Sequence, residues 1–204
     1  MTPAGGAIRL VMDLRRAGIS DTKLLSAIER TPRELFAGVG AGEEAIWSDA
    51  ALPVGDGALL PRPYDLALML NALDLGDRQR VLQVPTHTGY EAALLGAFCR
   101  WVYTVDADRA RRRQGDERLR GAGIRNVVSQ AGDPMRGWPG QAPFDGILLT
   151  QGADEPPQAL IEQLREGAAL VGPIGSEARY RPIVRIRRTA AGEQVDVIAR
   201  TSSF

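Results

Sequence analysis

A chain of 204 residues with 25 basic and 25 acidic side chains carries no formal net charge, which removes the global argument for a nucleic-acid partner or an anionic membrane surface. No apolar run approaches the ~20 residues of a membrane helix, and the opening Met1-Thr2-Pro3-Ala4-Gly5-Gly6 lacks the basic and apolar regions of a secretory signal. With one cysteine (Cys99) and one histidine (His87), an internal disulfide is excluded and no zinc-type ligand cluster is available, so a single cytoplasmic domain without a metal is expected.

The first part reads helical. Ile8 to Ala17 has apolar residues at helical spacing and stops at Gly18, a favourable residue just past a helix end. Ser20 can cap a second helix through Ile28, with Leu24, Leu25 and Ile28 on its apolar side. Thr31-Pro32-Arg33-Glu34 has the form of a capping box opening a short helix that buries Leu35 and Phe36. From Ser48 to Arg62 the small residues, glycines and prolines predict an extended, looping connection. Tyr64 to Leu73 returns to helix, with Leu66, Met69, Leu70 and Leu73 sharing a face.

Strand and helix then alternate. Strands are predicted at Val81–Val84, Trp101–Val105, Val127–Gln130, Phe144–Thr150 and Ala169–Gly172, with helices at Tyr90–Phe98, Asp108–Gly121 and Pro157–Leu164. Such alternation argues for a mostly parallel sheet covered on both faces. Pro182–Arg188 and Val195–Ala199 alternate apolar and polar residues around Ala190-Ala191-Gly192-Glu193, a hairpin signal for an antiparallel C-terminal edge. The expected organisation is one α/β domain: a helical elaboration over 1–46, a loop and helix over the cleft at 47–76, a parallel core at 77–175 and a hairpin at 176–204.

The segment Gln83-Val84-Pro85-Thr86-His87-Thr88-Gly89-Tyr90 runs from a buried strand through a tight loop into a helix, where a doubly wound protein places a nucleotide-like cofactor. Together with Thr31-Pro32-Arg33-Glu34-Leu35-Phe36, Leu52-Pro53-Val54-Gly55-Asp56-Gly57, Val102-Tyr103-Thr104-Val105-Asp106, Gly132-Asp133, Gly137-Trp138-Pro139 and Leu170-Val171-Gly172-Pro173-Ile174-Gly175, it carries a family resemblance. In the order and spacing of these segments the chain resembles the protein-L-isoaspartate O-methyltransferases. The resemblance implies a Rossmann-like fold dependent on S-adenosylmethionine (SAM). It also implies methylation of the α-carboxylate exposed by isoaspartyl damage in proteins, the first step of repair. Thr86, Gly89, Asp106, Gly132 and Asp133 are the residues it assigns to the cofactor, with Asp106 on a ribose hydroxyl and Asp133 beside the adenine.

Two stretches depart from the family. Its cofactor motif reads Glu-Ile-Gly-Thr-Gly-Ser-Gly-Tyr, whereas this chain has Gln83, Pro85 and His87 in place of the glutamate and two glycines. Proline fixes φ and removes an amide donor. The family's Gly-Gln-Thr-Ile-Ser-Gln-Pro-Tyr, whose hydroxyls sit by the reacting carboxylate, is here Gly57-Ala58-Leu59-Leu60-Pro61-Arg62-Pro63-Tyr64. Because both loops depart together, the expectation is a degenerate, non-catalytic member that keeps the fold to bind a protein or peptide partner, with SAM binding in doubt and no catalytic residue assigned. The alternative is an active SAM-dependent carboxyl methyltransferase on isoaspartyl residues or another carboxylate.

Each candidate residue also has a plain structural reading. His87 can simply fill space, Asp106 can cap the next helix, Asp133 can belong to an ordinary Gly-Asp-Pro turn, and Asp145 can be structural. Arg109, Arg111, Arg112, Arg113, Arg118 and Arg120 read as a solvated helix face interrupted by acids. Arg185, Arg187 and Arg188 decorate the exposed side of an edge strand, and Trp47 and Trp138 line the cleft or pack in the core.

Overall fold

The computed structural model describes residues 3–38, 40–55, 58–176 and 181–200; Asp56 and Gly57 of the motif at 52–57 lie outside the described residues. The chain opens with α1 (Pro3–Arg16) and α2 (Thr22–Arg30). Their apolar faces, Leu10, Leu14, Leu24, Leu25 and Ile28, are almost completely buried. After a 3-10 turn at Arg33–Leu35 come the short α3 (Glu43–Ile46), a two-stranded hairpin of β1 (Leu52–Gly55) and β2 (Ala58–Leu60), and α4 (Pro63–Leu73).

The remaining chain builds one seven-stranded sheet. Its strands are β3 (Arg80–Val84), β4 (Trp101–Asp106), β5 (Val127–Ala131), β6 (Phe144–Leu149), β7 (Leu164–Pro173), β8 (Pro182–Thr189) and β9 (Gly192–Arg200), in the order β5-β4-β3-β6-β7-β8-β9. The first five are parallel, and β8 and β9 add antiparallel to β7. Helices α5 (Tyr90–Gly96), α6 (Arg109–Gly121) and α7 (Gln158–Ile161) make the crossovers. Val81, Leu82 and Val84 are fully buried because one face of β3 packs into the core beneath the N-terminal helices and the other into the core shared with β6 and β7. This is the Rossmann-like arrangement expected, with its antiparallel C-terminal edge and helical N-terminal elaboration. The strand order reverses at β3, between β4 and β6, which makes the carboxyl ends of those strands the natural ligand position.

Several local expectations are corrected. Asp21, rather than Ser20, caps α2, its carboxylate accepting from the N–H groups of Lys23 (2.8 Å) and Leu24 (3.1 Å); it is one residue closer to the first free amides. Thr31 closes α2 instead of opening a helix, the turn at Arg33–Leu35 has no side-chain cap, and Leu35 points to solvent while Phe36 is buried. The stretch from Ser48 to Arg62 contains the β1–β2 hairpin. Only Gln158–Ile161 of the predicted 157–164 helix forms, because Leu164 already pairs with Phe144 at the start of a longer β7.

The arginines of β8 are also not free decoration. Arg185 donates to Asp196 on β9 (2.8 Å), Arg187 to the Gly167 carbonyl (2.8 Å) and Arg188 to the carbonyl of Leu164 (2.6 Å). Trp47 is buried against α1, where a Cβ on Gly6 would come within 2.4 Å of its ring, and Trp138 packs edge-on against Tyr103. Among the described residues, no helix is long and apolar enough to cross a membrane and no group of His, Cys, Asp or Glu is placed to hold a metal ion.

Candidate functional site

At the carboxyl end of β3 the chain passes through a cis Val84–Pro85 bond into the loop that ends where α5 begins at Gly89–Tyr90. Gly89 has φ +89 and lies against α6, where a Cβ would stand 3.2 Å from the Gly115 carbonyl oxygen; glycine meets both demands. His87 also lies in the left-handed region, at φ 47. The backbone thus keeps a turn of the kind glycine favours while carrying a side chain, at a cost of roughly 1–2 kcal/mol.

A buried polar network holds the root of this loop. The Gln83 amide donates to the Pro85 carbonyl and to the Thr150 hydroxyl (3.1 Å), and its oxygen accepts from the Thr104 hydroxyl (2.9 Å). Thr104 and Thr86 share a hydroxyl–hydroxyl bond of 2.9 Å, and the Thr86 N–H donates to the Val105 carbonyl. All four side chains are almost fully buried, so these bonds are made without competition from water. Thr104 and Thr150 were not singled out from sequence; their signal is a hydroxyl in, or at the end of, an otherwise apolar strand.

Asp106 ends β4 and is 3% exposed. One carboxylate oxygen accepts from the His87 N–H at 3.2 Å and the other from the Asp108 N–H at 2.9 Å. The Gly132 N–H donates to its carbonyl at 3.0 Å, so Thr86, His87, Gly89, Asp106 and Gly132 converge on one spot. Asp133 is exposed and accepts from the Met135 N–H at 2.9 Å, capping the turn that follows. Asp145 likewise has a structural part, accepting from the Arg80 N–H (2.9 Å) and pairing with Arg165 (3.0 Å). Burial draws the His87 imidazole down to about 4, against an opposing pull from Asp106, with Arg111 adding to the depression. Its Nδ1 is buried and has no partner.

On the other side of α5 lies a second polar cluster that sequence reading did not identify. Arg33 is fully buried; its Nε donates to the Ile46 carbonyl at 2.8 Å and its Nη2 to the Pro61 carbonyl at 3.3 Å. The guanidinium sits over the Tyr90 ring, 4.9 Å from its centroid. Neighbouring Glu91 is fully buried, with no hydrogen-bond partner for its oxygens from any other residue, and burial pushes its carboxyl up to about 7 despite a contact with its own backbone N–H and the charge of Arg33. Arg33 therefore ties the segment after β2 to the rest of the N-terminal elaboration. Leu59 of β2 and Pro61 just after it supply no hydroxyl. Of the helix arginines, Arg109, Arg113 and Arg120 are exposed, whereas Arg111, Arg112 and Arg118 are half-buried and Arg112 is engaged by Asp116 (3.0 Å) and Ser129 (2.9 Å).

Comparison with known proteins sets this arrangement in context. Residues 7–203 match the family model described as protein-L-isoaspartate(D-aspartate) O-methyltransferase. A protein-L-isoaspartate O-methyltransferase of Rhodospirillum rubrum is 44% identical over 184 residues, covering 90% of this chain and 84% of the relative. One of Rhodospirillum centenum is 43% identical over 193 residues, covering 94% and 87%. A solved protein-L-isoaspartate O-methyltransferase superposes with a TM-score of 0.88 at 26% identity, over 97% of this chain and 65% of that one. A Plasmodium falciparum protein solved with S-adenosyl-L-homocysteine shares the fold, with a TM-score of 0.77 at 18% identity over 96% and 94% of the two chains.

Proposed function

The chain belongs to the protein-L-isoaspartate(D-aspartate) O-methyltransferase family, and from that premise we propose that it serves methyl transfer from SAM to a carboxylate of a protein or peptide, an isoaspartyl carboxylate foremost. The observation that carries this reading is the position of Asp106. It ends the strand beside the point where sheet order reverses, with Thr86, Gly89 and Gly132 around it and Asp133 next in the chain. In such folds a strand-end acid of this kind hydrogen-bonds a ribose hydroxyl. A carboxylate acceptor is already nucleophilic, so the protein's task is chiefly positioning. Leu59 and Pro61 cannot do this through hydroxyls, which shifts the choice of acceptor towards shape and backbone contacts. A cytoplasmic site of action belongs to the same proposal.

As the loop stands, the residues present do not fit the methyl donor. Each oxygen of Asp106 already accepts one of the chain's own amides, Pro85 has no N–H to offer, and the His87 ring lies beside the carboxylate, in the space a ribose would need. No transfer step is therefore drawn through this conformation. A second reading, a non-catalytic member that binds a protein or peptide partner, is favoured by this closure together with the two missing hydroxyls. The deciding experiment incubates the protein with an isoaspartyl peptide and methyl-labelled SAM and measures base-labile methyl ester. Ester formed in proportion to enzyme supports methyl transfer. Peptide binding without ester, under conditions where a Rhodospirillum relative forms it, supports the second reading.

A further inference from the structure

The closure at Asp106 is built, not incidental. Were the loop merely decayed, buried polar atoms at its root would lack partners, yet Gln83, Thr86, Thr104 and Thr150 satisfy one another and the Pro85 carbonyl. Asp106 is held in place as well, with one amide on each carboxylate oxygen. The loose end is His87, whose Nδ1 has no partner and whose backbone is in the left-handed region. The loop is thus firmly rooted up to Thr86 and held at His87 by one 3.2 Å bond and by enclosure of the ring.

We propose that the loop at 85–89 is a built-in occupant of the nucleoside subsite: with its N–H on Asp106 and its enclosed imidazole beside that carboxylate, His87 fills the space a ribose would take, and a nucleoside enters only by lifting His87 away. This rests on the reading of Asp106 as the nucleoside-side carboxylate given above. Movement centres on His87, because Thr86 is tied to β4 through both its N–H and its hydroxyl, and Gly89 bonds the Thr86 carbonyl (2.9 Å) and packs on α6. His87 becomes a specificity-determining residue: a ligand must repay the lost Asp106 bond and the exposure of the imidazole before it gains affinity.

His87 is the only histidine in the chain, so its imidazole C–H signals in proton NMR report the loop without ambiguity. The probe is S-adenosylhomocysteine, titrated into the wild-type chain and into P85G/H87G by calorimetry, with NMR on the wild type. The expected result is binding at least ten-fold tighter in P85G/H87G, and displacement of the imidazole signals towards those of exposed histidine as the wild type saturates. Wild-type binding with unmoved imidazole signals overturns the proposal, as does a folded P85G/H87G that binds no better than wild type. If the double variant does not fold, H87G alone and the wild-type NMR titration carry the test. Ester formation is scored separately. A displaced His87 without methyl transfer leaves this inference standing and removes the catalytic reading, whereas methyl transfer with an unmoved His87 does the reverse.

Discussion

Gln83 is fully buried, and its amide can do what a carboxylate cannot: donate to the Pro85 carbonyl while accepting from Thr104. Glutamate there would face the carbonyl with an oxygen, or would have to hold a proton. We expect Gln83→Glu to cost about 2 kcal/mol in urea unfolding, the penalty of an unsatisfied buried polar pair. The cost should shrink when Pro85→Gly is present, and a double-mutant cycle would measure that coupling. At this scale the sequence was legible in identity and ambiguous in role. Asp106, Asp133 and His87 each stood out, but whether an aspartate caps a turn or receives a ligand depends on where neighbouring amides point, which no residue pattern states. Arg33 and Glu91 went unread because burial of a charged side chain beside an aromatic leaves no periodic trace.

Among the elements, β3 and β6 were readable because largely buried strands are near-continuous apolar runs, and α6 begins one residue after the predicted Asp108, which proves to be its N-cap in place of Asp106. What escaped was governed by pairing or by single hydrogen bonds. The β1–β2 hairpin lacks the alternation of a longer strand, and the early end of α7 is imposed by the pairing of Leu164 with Phe144. Capping at α2 supplies a check: Asp21→Ala should lower stability by about 1 kcal/mol in urea while leaving S-adenosylhomocysteine affinity unchanged. Close packing in the sheet supplies another. A Cβ on Gly172 of β7 would fall 2.7 Å from both Cβ and the carbonyl oxygen of Leu149, with backbone that cannot yield cheaply. Gly172→Ala should therefore cost about 1–3 kcal/mol by thermal or urea unfolding.

Across the whole molecule, two groups near the start of α5, His87 before it and Glu91 in its first turn, act in opposite senses. His87 falls from 6.5 to about 4 on folding, so the unfolded chain binds the extra proton in that window and stability is lost as pH falls through it. Glu91 rises from 4.5 to about 7, so the folded chain binds the extra proton and stability is lost as pH rises through that window. The two windows overlap and are similarly wide, so wild-type stability should change little between pH 5 and 6. Removing either group should tilt the curve. Glu91→Gln should leave stability rising from pH 4 to 6.5, and His87→Gln should leave it falling from pH 4.5 to 7, both read from urea midpoints at constant ionic strength. Parallel curves for the two variants would contradict the assignment.

The bond between the Gln83 amide and the Pro85 carbonyl also has a consequence for mutational history. The present chain satisfies the Pro85 carbonyl with the Gln83 amide, whereas a glutamate carboxylate beneath the present loop would set an oxygen against that carbonyl. Single substitutions are therefore not interchangeable in order: restoring the glutamate first leads through a less stable intermediate, whereas replacing Pro85 with glycine first frees the residue-85 carbonyl to turn away from position 83. The route back to a glycine-rich loop runs downhill in one sequence of steps and uphill in the other, a directional barrier set by one hydrogen bond.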